Sequence, residues 1–386
     1  MTPPSPSQAL PGDADRRHPA PRRPALERPQ VPRARRDRMP DPSDLDALLA
    51  AMPAPLDEAG LALAARRLVE ACPSPPLPGA GDTLARWRLL ATVAAHDLPL
   101  VKLYEAHADA RAILAELGVR LGVSAPERDS PLMAVWAARA PGQELRASRD
   151  GREGEGDDDG AAARLTGTKA WCSGAACVDI ALVTCVDEAG RDRLAAVPMR
   201  QPGVTVSTRG WEALGMRTTG SVEVDFADAA ATMVGPAEAY LRRPGFWHGG
   251  AGIAACWYGA AAALATRLRE AAARRDDPHL QAHLGAADVA LTASRALLRE
   301  AAQAIDADPR TDAMALALRA RAAAEQAAEA VLRAALRGLG AAPLCRDRWF
   351  ARMAADLPVF VRQSHAERDL AALGTALAKA PGDWRL

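Results

Sequence analysis

One change of hydrophobic period, from helical to alternating and back to helical, constrains what this 386-residue chain can fold into. From Asp44 to about Gly122 apolar residues recur at helical spacing. Leu61, Leu63, Ala64 and Leu68 share a face, and the segment breaks at Cys72-Pro73-Ser74-Pro75-Pro76. A second helix is expected from Asp82, a good N-cap residue, through Leu89 and Val93; a third follows Pro99 and stops at Gly118. Between about Ser130 and Phe226 the pattern turns β-like. Val178 to Thr184 and Leu194 to Pro198 are short apolar runs, while Val204 to Val206 and Val222 to Phe226 alternate with period two. Turn signals at Pro141-Gly142, Glu188-Ala189-Gly190 and Pro202-Gly203 separate them. After Pro236 long helical runs return at about 246–274, 279–305 and 311–338, broken at Asp276-Asp277-Pro278 and Asp308-Pro309. Shorter helices are expected around 345–355 and 359–377. The order helices, β block, helices predicts an α+β fold that is mostly helical, with a small antiparallel barrel or sandwich in the middle.

Composition narrows the function classes. Apolar residues make up 49% of the chain but aromatics only 4%, so Ala and Leu dominate, and both favour helix. Equal numbers of basic and acidic residues, 48 each, argue against a general nucleic-acid binder, which needs a cationic excess. No apolar run reaches the roughly 20 residues that a membrane span requires. The six cysteines form no C-x-x-C pair or framework spacing, so neither a zinc site nor a disulfide scaffold is indicated. The arginine pairs at Arg16-Arg17 and Arg22-Arg23 have no apolar stretch after them, which speaks against a secretory signal. A reducing, cytoplasmic setting is expected. Residues 1–42 are rich in Pro and Arg and are read as a disordered extension, with a basic tail for an acidic partner as the sharper alternative. The domains expected beyond it are an N-terminal helical domain at 43–128, a β domain at 129–235 and a C-terminal helical bundle at 236–386. The acidic, Gly-rich stretch from Glu153 to Gly160 is read as a mobile hairpin tip.

Three stretches carry more than a pattern. They are Ala95-His96-Asp97-Leu98-Pro99-Leu100 through Ala112 to Gly118; Leu165-Thr166-Gly167-Thr168-Lys169-Ala170-Trp171-Cys172-Ser173-Gly174; and Pro202-Gly203-Val204 followed by Leu214 to Ser221 and Val224-Asp225-Phe226. In that order and separation they resemble the acyl-CoA dehydrogenase family, over most of residues 80–230. The resemblance implies an N-terminal helical domain, a central β-barrel domain and a C-terminal helical bundle, assembled as a homodimer or homotetramer. It implies FAD as cofactor, with FMN for a monooxygenase. A flavin ring is flat and apolar on its faces, so an adjacent Trp supplies area and excludes water. The resemblance gives Trp171 that place, puts the Ser173 hydroxyl near the flavin N5 edge, and adds Arg217 and Thr218 to the cofactor contacts. Trp247, His248 and Ser221 are the expected pocket-lining residues, and Lys169 is read as a solvated strand-end charge. The implied activity is α,β-dehydrogenation of an acyl-CoA or carrier-bound acyl group, with an electron-acceptor flavoprotein or a reductase as partner.

The chain departs from the family pattern where the chemistry is most demanding. Abstraction of an α proton needs a carboxylate in an apolar pocket that raises its pKa. Counting from Asp356 puts Ser364 at the family's Glu position. Glu367, bordering an apolar stripe of Val359, Leu370, Leu373 and Leu377, and His365, four residues before Asp369, are the substitute candidates. The Thr219-Gly220-Ser221 sequence resembles the reduced-flavin monooxygenase branch of the fold. The family's Arg-x-x-Phe-Gly segment is missing, and Arg275 is its nearest substitute for the flavin diphosphate. A family member that has lost catalysis and serves as a binding or assembly subunit is the remaining alternative. His279 and His283 have the i, i+4 spacing of metal ligands but no evident third ligand, so no metal site is expected. No dinucleotide-binding glycine motif and no nucleophile elbow is present.

Overall fold

The computed structural model describes residues 41–121, 130–149, 160–379 and 384–385. All but the last two residues of the Pro/Arg-rich extension, and the acidic insert apart from Gly160, lie outside the described residues. Four helices open the fold: α1 (Pro42–Ala50), α2 (Glu58–Ala71), α3 (Thr83–His96) and α4 (Leu98–Leu117). Asp41, Asp57 and Asp97 cap α1, α2 and α4 by accepting backbone N–H groups of their first turns. Left-handed Gly118 closes α4 at a φ of 71°.

Among the described residues seven strands follow: β1 (Met133–Trp136), β2 (Leu145–Arg149), β3 (Ala162–Cys172), β4 (Ile180–Val186), β5 (Asp192–Pro198), β6 (Val204–Val206) and β7 (Val222–Met233). The pairings β4–β2–β3–β7–β5–β4 close a five-stranded ring, with β1 beside β4 and β6 beside β7. The barrel is mixed, not wholly antiparallel as the turn-rich sequence suggested: β1 and β2 both run parallel to β4. Closure removes most free edges.

The last block holds α5 (Ala239–Arg242), α6 (Gly245–Ala272), α7 (Pro278–Ala307), α8 (Met314–Leu339), α9 (Ala342–Arg346), α10 (Arg348–Phe360) and α11 (Glu367–Lys379). The expected cap of α3 is a correction. Asp82 makes no side-chain capping bond, and Asp306 of α7 accepts from Thr83 N at 3.0 Å and from its hydroxyl at 2.6 Å instead. A second correction concerns the last turns. The sequence suggested a break before Val359, yet α10 runs through Pro358 because Leu357 and Phe360 are both buried, and the break falls at 364–366.

Helices from both sides of the β block share one core, from Leu45 and Trp87 through Trp257 to Phe350 and Phe360. A second core fills the barrel. A third joins them: Ala110 and Ile113 of α4 pack on Met133, Ile180, Leu182 and Leu194. His107 pins this seam, since its Nδ1 accepts from Met133 N at 3.2 Å. Burial pushes its pKa down to about 3, so the ring stays neutral and able to accept. The start of β1 is thereby held against α4.

Candidate active site

The site is built where β3 ends. Its pairing with β7 slips between Lys169 and Cys172, and Trp171 takes a φ of 56°, a left-handed conformation rare for an aromatic residue. The slip keeps Cys172 in the barrel core and sends Trp171 outward, where 45% of it is exposed. Gly174, at φ 74°, lets the chain turn tightly against α4; a Cβ there would sit 3.1 Å from Leu103 Cγ. Trp136 of β1 donates its indole N–H to the Ser173 carbonyl at 3.1 Å.

A loop brings a second set of groups to the same place. Met216 and Gly220, both left-handed, bracket a single 3-10 turn at Arg217–Thr219. Gly174 N donates to the Thr219 carbonyl at 2.7 Å, which ties the loop to the end of β3. Ser173 Oγ lies 2.7 Å from Ser221 Oγ, Ser221 Oγ lies 2.8 Å from Thr219 Oγ1, and Thr219 Oγ1 donates to the Met216 carbonyl at 2.7 Å. All three hydroxyl residues are buried beside the exposed Trp171 indole.

Helix α10 clamps the loop from behind. A Cβ on Gly215 would meet the Ala355 carbonyl at 2.0 Å, so only glycine fits there. Met216 N donates to Asp356, and Arg352 bridges Asp356 at 3.0 Å and the Thr218 hydroxyl at 2.9 Å. Burial raises the Asp356 carboxyl to about 6, against the opposing pull of the Met216 N–H and Arg352.

Lys169 corrects the expectation of a solvated charge. Only 4% of it is exposed, and its Nζ donates to the Thr184 carbonyl at 2.9 Å and the Thr184 hydroxyl at 2.7 Å. Thr184 in turn donates to the Ala137 carbonyl just past β1 at 3.0 Å. Burial pushes the amine down to about 8. The lysine therefore fastens β3 to β4 and to the end of β1, two residues before Trp171.

Residues 144–229 match the family model "Acyl-CoA dehydrogenase, middle domain", and residues 238–361 match "Acyl-CoA dehydrogenase, C-terminal domain". The chain belongs to the acyl-CoA dehydrogenase family. Together the two matches span more than half of it. No curated protein sequence matches the chain. Among solved structures it is similar to FMN-bound TdsC from Paenibacillus sp. A11-2, a dibenzothiophene monooxygenase, with TM-score 0.68 at 16% identity, covering 86% of this chain and 94% of that one. It is similar to butyryl-CoA dehydrogenase from Megasphaera elsdenii, with TM-score 0.65 at 18% identity, covering 78% and 83%. It is also similar to a nitrososynthase from Micromonospora carbonacea var. africana, with TM-score 0.66 at 18% identity, covering 87% and 95%. At these identities the likeness establishes the shared fold. The acyl-CoA dehydrogenase fold thus carries both dehydrogenases and monooxygenases.

Of the residues singled out from sequence, Trp171, Ser173, Ser221, Thr218 and Arg217 come together at the junction of β3 and the 216–221 loop. Arg217 is exposed, whereas the Thr218 hydroxyl is already engaged by Arg352. Arg275 is exposed in the turn between α6 and α7. Trp247 is partly buried, edge-on to Phe246 at 5.1 Å between ring centroids. The His248 ring is buried against the loop at Gly79, 3.6 Å from where a Cβ would stand. The expected setting of Glu367 is also corrected. No residue of α11 is buried, and Leu370 is 46% exposed, so Glu367 stands in solvent without an apolar surround. His365 is exposed too, with Nδ1 3.4 Å from Asp369. Ser364 is buried and its hydroxyl accepts from Ala366 N.

Sequence reasoning missed Trp136, Thr219, Arg352 and Asp356 as parts of this junction. Thr219 lies inside the motif already singled out, and Trp136 is one of only eight tryptophans. Nothing in the local sequence marks Arg352 and Asp356 as loop clamps. Among the described residues no group of three or more His, Cys, Asp or Glu could hold a metal, and no helix is long and apolar enough to cross a membrane. An exposed indole next to a buried hydroxyl set, on a backbone fixed by two left-handed turns, fits a flat heteroaromatic ring with a polar edge.

Proposed function

We propose that this chain is a flavin-dependent monooxygenase of the acyl-CoA dehydrogenase fold, receiving reduced flavin from a separate reductase and using oxygen. The observation that carries this reading is the exposure of both base candidates, Glu367 and His365, around a buried Ser364. Dehydrogenation of an acyl thioester needs a desolvated carboxylate to take the α proton. At the α10–α11 junction the two candidate groups keep their water. Reduced flavin, when bound, supplies the two electrons that activate oxygen.

The chain's own residues have definable tasks in this reading. Trp171 covers one face of the ring and keeps water from it. Ser173 meets a polar edge. The Asp356–Arg352 clamp holds the 216–221 loop in register with β3, and exposed Arg217 is left to meet the anionic tail of the cofactor. Because Arg275 is a lone substitute for the family's diphosphate contact, FMN suits the site better than FAD. Ser221 serves the ring site through Ser173, while Trp247 remains a candidate wall for the substrate.

The second reading, oxidation of the CH–CH group of an acyl-CoA or carrier-bound acyl group, draws support from the family and from Glu105. That carboxylate is buried on α4 and raised in pKa, chiefly by burial, although Lys102 holds it at 2.5 Å. Purified protein separates the two. Oxygen consumption and substrate hydroxylation when reduced FMN is supplied support the monooxygenase. Anaerobic bleaching of a yellow, flavin-loaded protein by an acyl-CoA would overturn it in favour of the dehydrogenase, with FAD and an acceptor flavoprotein. Binding of no flavin in either redox state would leave a non-catalytic assembly role.

A further inference from the structure

The three buried hydroxyls at the junction form a chain whose direction is fixed. A hydroxyl has one proton to donate. Thr219 spends its proton on the Met216 carbonyl at 2.7 Å, because a carbonyl can only accept. The 2.8 Å contact between Thr219 and Ser221 must then use the Ser221 proton, and the 2.7 Å contact between Ser221 and Ser173 must use the Ser173 proton. Three contacts consume three protons. Ser173, at 9% exposure against 4% for Ser221 and 2% for Thr219, is the outermost member of the chain.

We infer that Ser173 Oγ acts only as an acceptor toward the bound ring, and that this makes the site discriminate in favour of reduced flavin. This rests on the flavin-binding reading above. In the oxidised isoalloxazine N5 is an acceptor. Two-electron reduction adds a proton there and turns it into an N–H donor. An acceptor-only hydroxyl repels the first state and bonds the second. Donating outward to the oxidised ring would cost the chain one of its three internal contacts, since its three protons cannot serve four, and a hydrogen bond lost in a buried site is costly. The discrimination is thus built into the Thr219 end, two hydroxyls away from the ring, and Thr219 and Ser221 are positioning residues.

The test measures dissociation constants of the full chain for oxidised FMN and, anaerobically, for dithionite-reduced FMN. Wild type should bind the reduced form more tightly. Thr219→Val keeps the side-chain shape but removes the fixed end, freeing Ser221 to donate to Ser173 and Ser173 to donate outward. The ratio of oxidised to reduced dissociation constants should fall about tenfold, the worth of one hydrogen bond gained or lost. Ser221→Ala releases the Ser173 proton by a different route and should shift the ratio in the same direction, which guards against a Thr219→Val chain that does not fold. An unchanged ratio in the folded variants, or a wild type that favours oxidised FMN, would overturn the inference while leaving flavin binding intact. Binding of neither form would overturn the proposed function and this inference together.

Discussion

Replacing Lys169 by Met tests how the end of β3 is held. The lysine is almost fully buried, and among the described residues its amine donates to one residue, Thr184. Its pKa is depressed by burial from 10.5 to about 8. That depression corresponds to about 3 kcal/mol between protonation states. The sign follows from proton counting. Below pH 8 the amine is charged in folded and unfolded chains alike, and the folded chain carries the full burial cost. Between about 8 and 10.5 the unfolded chain binds more protons, so stability rises with pH. From pH 7.5 to 9.5 the wild type should gain about 2 kcal/mol relative to Lys169→Met, which has no such proton to lose. Urea unfolding of both chains at the two pH values measures it, and the difference between them cancels the other titrating groups. Parallel pH dependences would refute a buried, charged Lys169 and with it the fastening of β3 to β4.

Three further outcomes follow from the same geometry. Asp356 has a raised pKa, so the folded chain holds its proton more tightly than the unfolded one; stability should fall by up to about 3 kcal/mol as pH rises from about 4 to 6, and Asp356→Asn should flatten that fall in pH-dependent denaturation. Gly174→Ala places a side chain at φ 74° and 3.1 Å from Leu103, and should cost about 1–3 kcal/mol in urea unfolding while weakening FMN binding. Glu367→Gln and His365→Asn should leave FMN affinity and oxygen-dependent turnover within twofold of wild type; a loss of tenfold or more in turnover would return α11 to the catalytic machinery.

The change of hydrophobic period was enough to place most helices and strands. The breaks at Asp276-Asp277-Pro278 and Asp308-Pro309 fall between α6, α7 and α8, where proline and aspartate end one helix and cap the next. The Trp171–Ser173 segment stood out in the sequence through its resemblance to the family's strand motif, in a chain with so few aromatics. What was not legible depended on contacts far apart in sequence. Asp356 meets Met216 across 140 positions, and Asp306 caps α3 from 223 positions away. Lys169 looked like a strand-end charge because periodicity cannot see that Thr184 waits opposite it inside the barrel. Glu367 looked half-buried because α11 is amphipathic, yet none of its residues is buried. Amphipathic spacing identifies a face, and only tertiary packing decides whether anything covers it.

The proposed function stands on Trp171 and Ser173 as the wall and edge of a flavin site. Anaerobic titration of the full chain with reduced FMN, by equilibrium dialysis, tests it most directly. Wild type should bind one FMN per chain saturably, and Trp171→Ala should weaken that binding about tenfold or more, in line with loss of a stacking face. Binding that Trp171→Ala and Ser173→Ala leave untouched, or no saturable binding at all, would contradict it.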